Sequence, residues 1–313
     1  GEKKMQRFKK GSSLMLAVML AVGISTTASA KPLTAGFGNG CPSITKEVKN
    51  DENQWVEVAE RQVGETAEFR VITTISENIK YFKNFKYEIR DVYTMGLTVN
   101  NDVVVKINDT EKELPSEYYT INYWPDHGDL FIDVNVSKAI EDGLLQIGDE
   151  LYSYYTAKVN STARTERWNT NYAKICYSSV DRRGDEESYN TYSNVYTFEV
   201  NALNVREGGE YELSRDGNPI YVVKSADGKY VLCDDENLAD GTTTIVAGSN
   251  GINVLGLDRN VKYTLTETKA PEGEEQSNEP IEFTIDASYD EHGQLANYST
   301  YNSGVKVIFN YFN

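Results

Sequence analysis

Histidine and cysteine are scarce in this chain, and helical periodicity is nearly absent. Only His127 and His292 occur, which argues against a metal site built on imidazoles. His127 lies in the turn Asp126-His127-Gly128 and His292 in the polar stretch Tyr289-Asp-Glu-His-Gly293, so neither has the company a catalytic base needs. The three cysteines, Cys41, Cys176 and Cys233, match no zinc spacing and allow at most one disulfide. There is no Gly-x-Ser-x-Gly elbow, no phosphate loop and no dinucleotide fingerprint. No metal, cofactor or activity on a separate substrate is expected. What the chain has in excess is acid. Its formal net charge of −17 repels nucleic acid and anionic lipid, and neither is expected as a partner.

Long apolar runs are missing too, except near the start. Lys3, Lys4, Arg7, Lys9 and Lys10 form a basic region, Leu14 to Ile24 an apolar core, and Ala28-Ser29-Ala30 a small-residue cleavage site. That pattern predicts a signal peptide over residues 1–30, because the core falls short of the ~20 residues of a membrane span. The mature chain is expected to be secreted, with no membrane span. Residues 31–42 lack a periodic pattern and are expected to form a flexible leader.

Beyond them, short alternating runs recur between turn residues: Ala67/Phe69/Val71, Val103/Val105/Ile107, Leu130/Ile132/Val134/Val136 and Tyr196/Phe198/Val200. The best helix candidate is Ser137 to Leu145. The fold class is therefore all-β, with two tandem immunoglobulin-like β-sandwich domains at 43–203 and 204–313. The division falls near the turn Arg206-Glu-Gly-Gly-Glu210. One strand breaks a local rule: Tyr263, Leu265 and Glu267 share a face, and an acid there is costly unless a proton or a partner neutralises it.

Two ordered sets of motifs carry a resemblance. The first comprises Ser43-Ile-Thr-Lys-Glu-Val48, Val63-Gly-Glu-Thr66, Tyr87-Glu-Ile-Arg-Asp91 with Gly96-Leu97-Thr98, and Thr156-Ala157-Lys158-Val159-Asn160. The second comprises Gly208 to Leu213, Gly251 to Leu257, Tyr263 to Gly273 and Val305 to Asn310. In order and spacing they resemble an A-type fimbrial sandwich followed by a B-type collagen-adhesin (prealbumin-like) domain of Gram-positive pilin subunits. The resemblance covers nearly all of residues 43–313. It implies a structural subunit of a pilus or adhesin stalk at the cell surface or cell wall, with other pilin subunits and, if anchored, a sortase as partners. The alternative is a secreted carbohydrate- or protein-binding module without a pilus role. The chain departs from the family in having neither a Tyr-Pro-Lys type pilin lysine nor a Leu-Pro-x-Thr-Gly signal.

The resemblance also implies an autocatalytic Lys–Asn isopeptide bond. Such a bond needs a neutral buried Lys, an Asn carboxamide against it and a protonated carboxyl. Lys46 falls between Ile44 and Val48 on one strand face, and Asp91 is in phase with Tyr87 and Ile89, so both should point inward. They would then form a pre-reaction pair; an unreactive ion pair, or strand ends that reach solvent, are the alternatives. The family's acceptor strand matches Asn171 to Ser179, with Ser179 in the place of the acceptor Asn. Asn194, in phase with Tyr196, is the substitute acceptor or else a strand-start Asn. Cys41 and Cys176, placed near Lys46 and Ser179, form either a disulfide or two free thiols. In the second domain the resemblance makes Glu267 the promoting acid and Asn310 the acceptor. No Lys occurs between Lys174 and Lys224, where the first-strand nucleophile belongs, and Arg206 cannot replace it because a guanidinium stays protonated. No isopeptide from that strand is expected, leaving Glu267 as a protonated or hydrogen-bonded inner acid in contact with Asn310.

Overall fold

The computed structural model describes residues 34–35 and 41–309, except 166, 181–183 and 189. The signal peptide and Asn310 lie outside the described residues, and so does most of the leader. Among the described residues the strands form four sheets, almost all of them antiparallel. In the first pair, one sheet runs in the order Thr34–Ala35, Ile44–Lys49, Thr66–Thr74, Glu150–Val159, Leu97–Val99. Its partner runs Val58–Glu60, Thr191–Tyr196, Asn169–Ser179, Tyr87–Tyr93, Asp129–Val134, Tyr119–Trp124. Period-2 alternation places the core between them. Ala67, Phe69 and Val71 are buried while Thr66 and Glu68 face out, and Tyr87, Ile89 and Asp91 line the opposing face. Thr34–Ala35, in the stretch expected to be a flexible leader, pairs with Ile44 and Thr45.

The second pair of sheets begins one strand earlier than expected. Phe198–Ala202 pairs with Ile252–Leu257 and with Val305–Ile308, so the change of sheet falls between Tyr196 and Phe198 and not near 203. The other sheet of this pair is built around Glu210–Arg215, Lys262–Lys269 and Ile281–Tyr289. The single α-helix among the described residues, Val136–Glu141, stops short of Leu145. Asn135 caps it by accepting a hydrogen bond from the Lys138 amide at 3.1 Å. No described helix is long and apolar enough to cross a membrane.

The two pairs of sheets meet along a polar seam. The Val63 amide donates to the Gly256 carbonyl at 2.9 Å, and the Tyr263 hydroxyl donates to Gln62 Oε1 at 2.9 Å. Arg259 pairs with Glu60 at 3.0 Å and Arg215 with Glu65 at 2.5 Å. Gly256 sits at φ +100°, and a Cβ there would lie 2.7 Å from Val63 Cγ2, so the approach of the two domains requires glycine.

Candidate crosslinking site

Lys46 and Asp91 come from opposite sheets and meet in the middle of the first sandwich. Both side chains are fully buried, and Lys46 Nζ contacts Asp91 Oδ2 directly. Nζ also contacts the hydroxyl of Tyr155, from the Glu150–Val159 strand. Faces of Phe69 and Tyr155 lie 5.2 and 4.5 Å from Nζ and wall it from water. Burial pushes the Lys46 amine down in pKa against the pull of Asp91. Burial likewise pushes the Asp91 carboxyl up, against Lys46 and Tyr155. A dry site favours the uncharged forms of both, which are the forms a nucleophilic amine and a proton-donating acid need.

Asn171 completes the cluster. It is fully buried, and its Nδ2 donates to the Tyr155 hydroxyl at 2.7 Å. That hydroxyl in turn donates to Asp91 Oδ2 at 2.8 Å. Ala173 is the register partner of Asp91, so Asn171, two residues away on the same face, is its diagonal neighbour. Two buried oxygens, Asp91 Oδ1 and Asn171 Oδ1, lack a hydrogen-bond partner among the described residues. Leaving such atoms unpaired is costly, and one shared proton on Asp91 would serve both.

Several expected site residues lie elsewhere. Ser179 pairs with Gly184 at the far end of the Asn171 strand, about 26 Å away along it at ~3.3 Å per residue. The serine there has no bearing on Lys46. Asn194 is opposite Thr170, whose hydroxyl donates to Asn194 Oδ1 at 3.0 Å. The residues sharing the face of Asn171 are Ser193, directly opposite it, and Thr191 and Val195; Asn194 faces the other way and cannot meet Lys46. The disulfide is also absent: Cys41, Cys176 and Cys233 are all free. Cys176 is on the outer face with Lys86 and Arg90, whereas Cys41 lies by the inward Tyr177 hydroxyl. Neighbouring residues of a strand point to opposite faces, which separates the two thiols.

In the second domain Tyr263, Leu265 and Glu267 are all buried. Glu267 forms an ion pair with Arg206, whose Nε lies 2.9 Å from Oε1. It also accepts from the Tyr211 hydroxyl at 3.1 Å and the Ser277 amide at 2.6 Å. Of the two states expected for this inner acid, protonated or hydrogen-bonded, the structure has the hydrogen-bonded one, with Arg206 as an ion-pair partner that was not foreseen. Arg206 further reaches Glu274 at 3.0 Å and the Glu275 carbonyl at 2.7 Å, tying down the segment after the strand. No cluster of His, Cys, Asp and Glu that could hold a metal occurs among the described residues.

Residues 207–298 match the family model of the SpaA prealbumin-like fold domain. No curated protein matches the chain. Among solved structures, the 35 kDa C-terminal fragment of the Streptococcus agalactiae major pilin GBS80 is similar at 21% identity and a TM-score of 0.55, over 78% of this chain and 90% of that one. The Bacillus cereus major pilin subunit BcpA is similar at 21% identity and a TM-score of 0.52, over 77% of this chain and 65% of that one. The pilus backbone RrgB of Streptococcus pneumoniae is similar at 12% identity and a TM-score of 0.51, over 76% of this chain and 92% of that one. Over residues 207–298 the chain is thus similar to prealbumin-like domains of the SpaA type, and as a whole it shares a tandem β-sandwich fold with Gram-positive major pilins.

Proposed function

We propose that the chain is a structural subunit of a Gram-positive pilus or adhesin stalk, secreted and held at the cell surface. Its first domain is stapled by an isopeptide bond between Lys46 and Asn171, promoted by Asp91. The observation that carries this reading is the convergence of Lys46, Asp91 and Asn171 on one hydroxyl in a dry layer. The neutral amine attacks Asn171 Cγ while the Asp91 proton polarises Oδ1. A new C–N bond forms, the C–Nδ2 bond breaks, and ammonia leaves. Holding the groups together replaces a bimolecular encounter, which is worth a large effective concentration. A bond between the Ile44–Lys49 and Asn169–Ser179 strands joins the two sheets covalently, as a load-bearing stalk requires. The second domain uses the Arg206–Glu267 ion pair in place of a covalent staple. Other subunits of the same fibre, and a sortase where the chain is anchored, are the partners of this reading. An antibody raised against residues 43–309 tests the surface role on cells of the native host. Labelling along fibres supports a pilus subunit; antigen found only in the medium favours a released binding module and contradicts the proposal.

A further inference from the structure

The Tyr155 hydroxyl touches all three reacting side chains. It contacts Lys46 Nζ, donates to Asp91 Oδ2 and accepts from Asn171 Nδ2. The ring is held in place by stacking on Phe69 at a centroid distance of 5.6 Å, and the residue is buried. A hydroxyl needed only for packing would require one partner. This one sits between the nitrogen that must lose a proton and the nitrogen that must gain one. We propose that Tyr155 is a catalytic residue of the crosslinking reaction, carrying the proton that lets ammonia leave. The inference rests on the reading above that Lys46 and Asn171 become joined.

The protons balance without a co-reactant. Attack by Lys46 Nζ on Asn171 Cγ leaves one surplus proton on Nζ. Tyr155 receives it on its hydroxyl oxygen, which Nζ contacts, as it hands its own hydroxyl proton to Asn171 Nδ2, while Asp91 keeps its proton towards Asn171 Oδ1. The C–Nδ2 bond then breaks and Nδ2 departs as ammonia. Asp91 and Tyr155 end in the forms in which they began, and nothing is oxidised or reduced. Burial, with Asp91 beside it, holds the phenol well above its usual pKa, so the hydroxyl keeps a proton to give. Asp91 alone would have to serve two nitrogens at once, one held by the opposing sheet and one by its own.

Tyr155→Phe removes the hydroxyl and keeps the stacked ring. The full chain is isolated unfolded in denaturant and diluted to start folding. Tryptophan fluorescence follows folding, and intact mass follows the loss of one ammonia. The wild type should lose ammonia after folding, more slowly in heavy water than in light water. Tyr155→Phe should fold at the wild-type rate and lose ammonia slower by about a hundredfold or more, the usual scale for a lost acid–base group. Ammonia loss from Tyr155→Phe at the wild-type rate overturns the role of Tyr155 and leaves the crosslink intact. Should the variant not fold, the wild type decides alone: no rate difference between the two solvents overturns the relay. A wild type that folds and never loses ammonia overturns the crosslink itself.

Discussion

Lys46 and Asp91 are legible from the sequence because strand alternation fixes their faces once Ile44, Val48, Tyr87 and Ile89 are placed inside. Asn171 was not, because which residues of facing strands come together depends on register, and a single sequence does not encode register openly. Asn194 misled for a physical reason. Tyr196, in phase with it, looks like sandwich core but packs 4.9 Å from Tyr289 in the seam between domains. The true inner face of that strand carries the small polar Thr191 and Ser193. Asp91→Ala should abolish ammonia loss and leave a buried amine without its partner. The variant should show a lower denaturant midpoint and a steeper slope than the crosslinked wild type, because its unfolded chain is no longer closed into a loop and exposes more surface. A midpoint equal to wild type would mean that Lys46 does not depend on Asp91. Thiol titration of the unreduced, unfolded chain should count all three cysteines; a count of one would restore the disulfide.

Among the elements, the Lys262–Lys269 strand shows how a broken pattern marks a site. An acid in phase with Tyr263 and Leu265 demanded a partner, and the sequence supplied the position but not the partner. Arg206 lies 61 residues from Glu267 and reaches it from the turn after the first strand of that domain. Arg206→Ala removes the cation from a buried carboxylate and releases the contacts to Glu274 and Glu275. Because the guanidinium is partly exposed, the expected loss is about 2–3 kcal/mol, below that of a fully buried pair. Limited proteolysis should then cut the 271–279 segment faster than in the wild type. Unchanged cleavage would show that the ion pair does not hold that segment.

At the scale of the whole molecule, the seam gathers more acids than bases. Asp258 is pushed up to about 8 by burial first, then by Glu65, Glu60 and Asp51. Glu57 is pushed up to about 7, again chiefly by burial, with His292 and Asp290 facing it. Arg61, Arg215 and Arg259 offset part of this charge. A carboxyl whose folded pKa is raised binds more protons folded than unfolded, so stability falls as pH rises from about 4 towards about 8 and then levels off. The melting temperature should therefore decline across that window, and Asp258→Asn should flatten the decline. A melting temperature that rises through the window would contradict this account of the seam. The all-β class and the tandem arrangement were legible from the spacing of turns and strands. The seam was not, since Phe198–Ala202 continues the apolar pattern of the strand before it while belonging to the next pair of sheets.

Peptide mapping of the folded, mature chain by mass spectrometry tests the central claim most directly. The account predicts one branched peptide joining the Lys46 and Asn171 segments, lighter than their sum by one ammonia and missing from Lys46→Ala and Asn171→Ala. Recovery of both segments as separate, unmodified peptides from the wild type would contradict it.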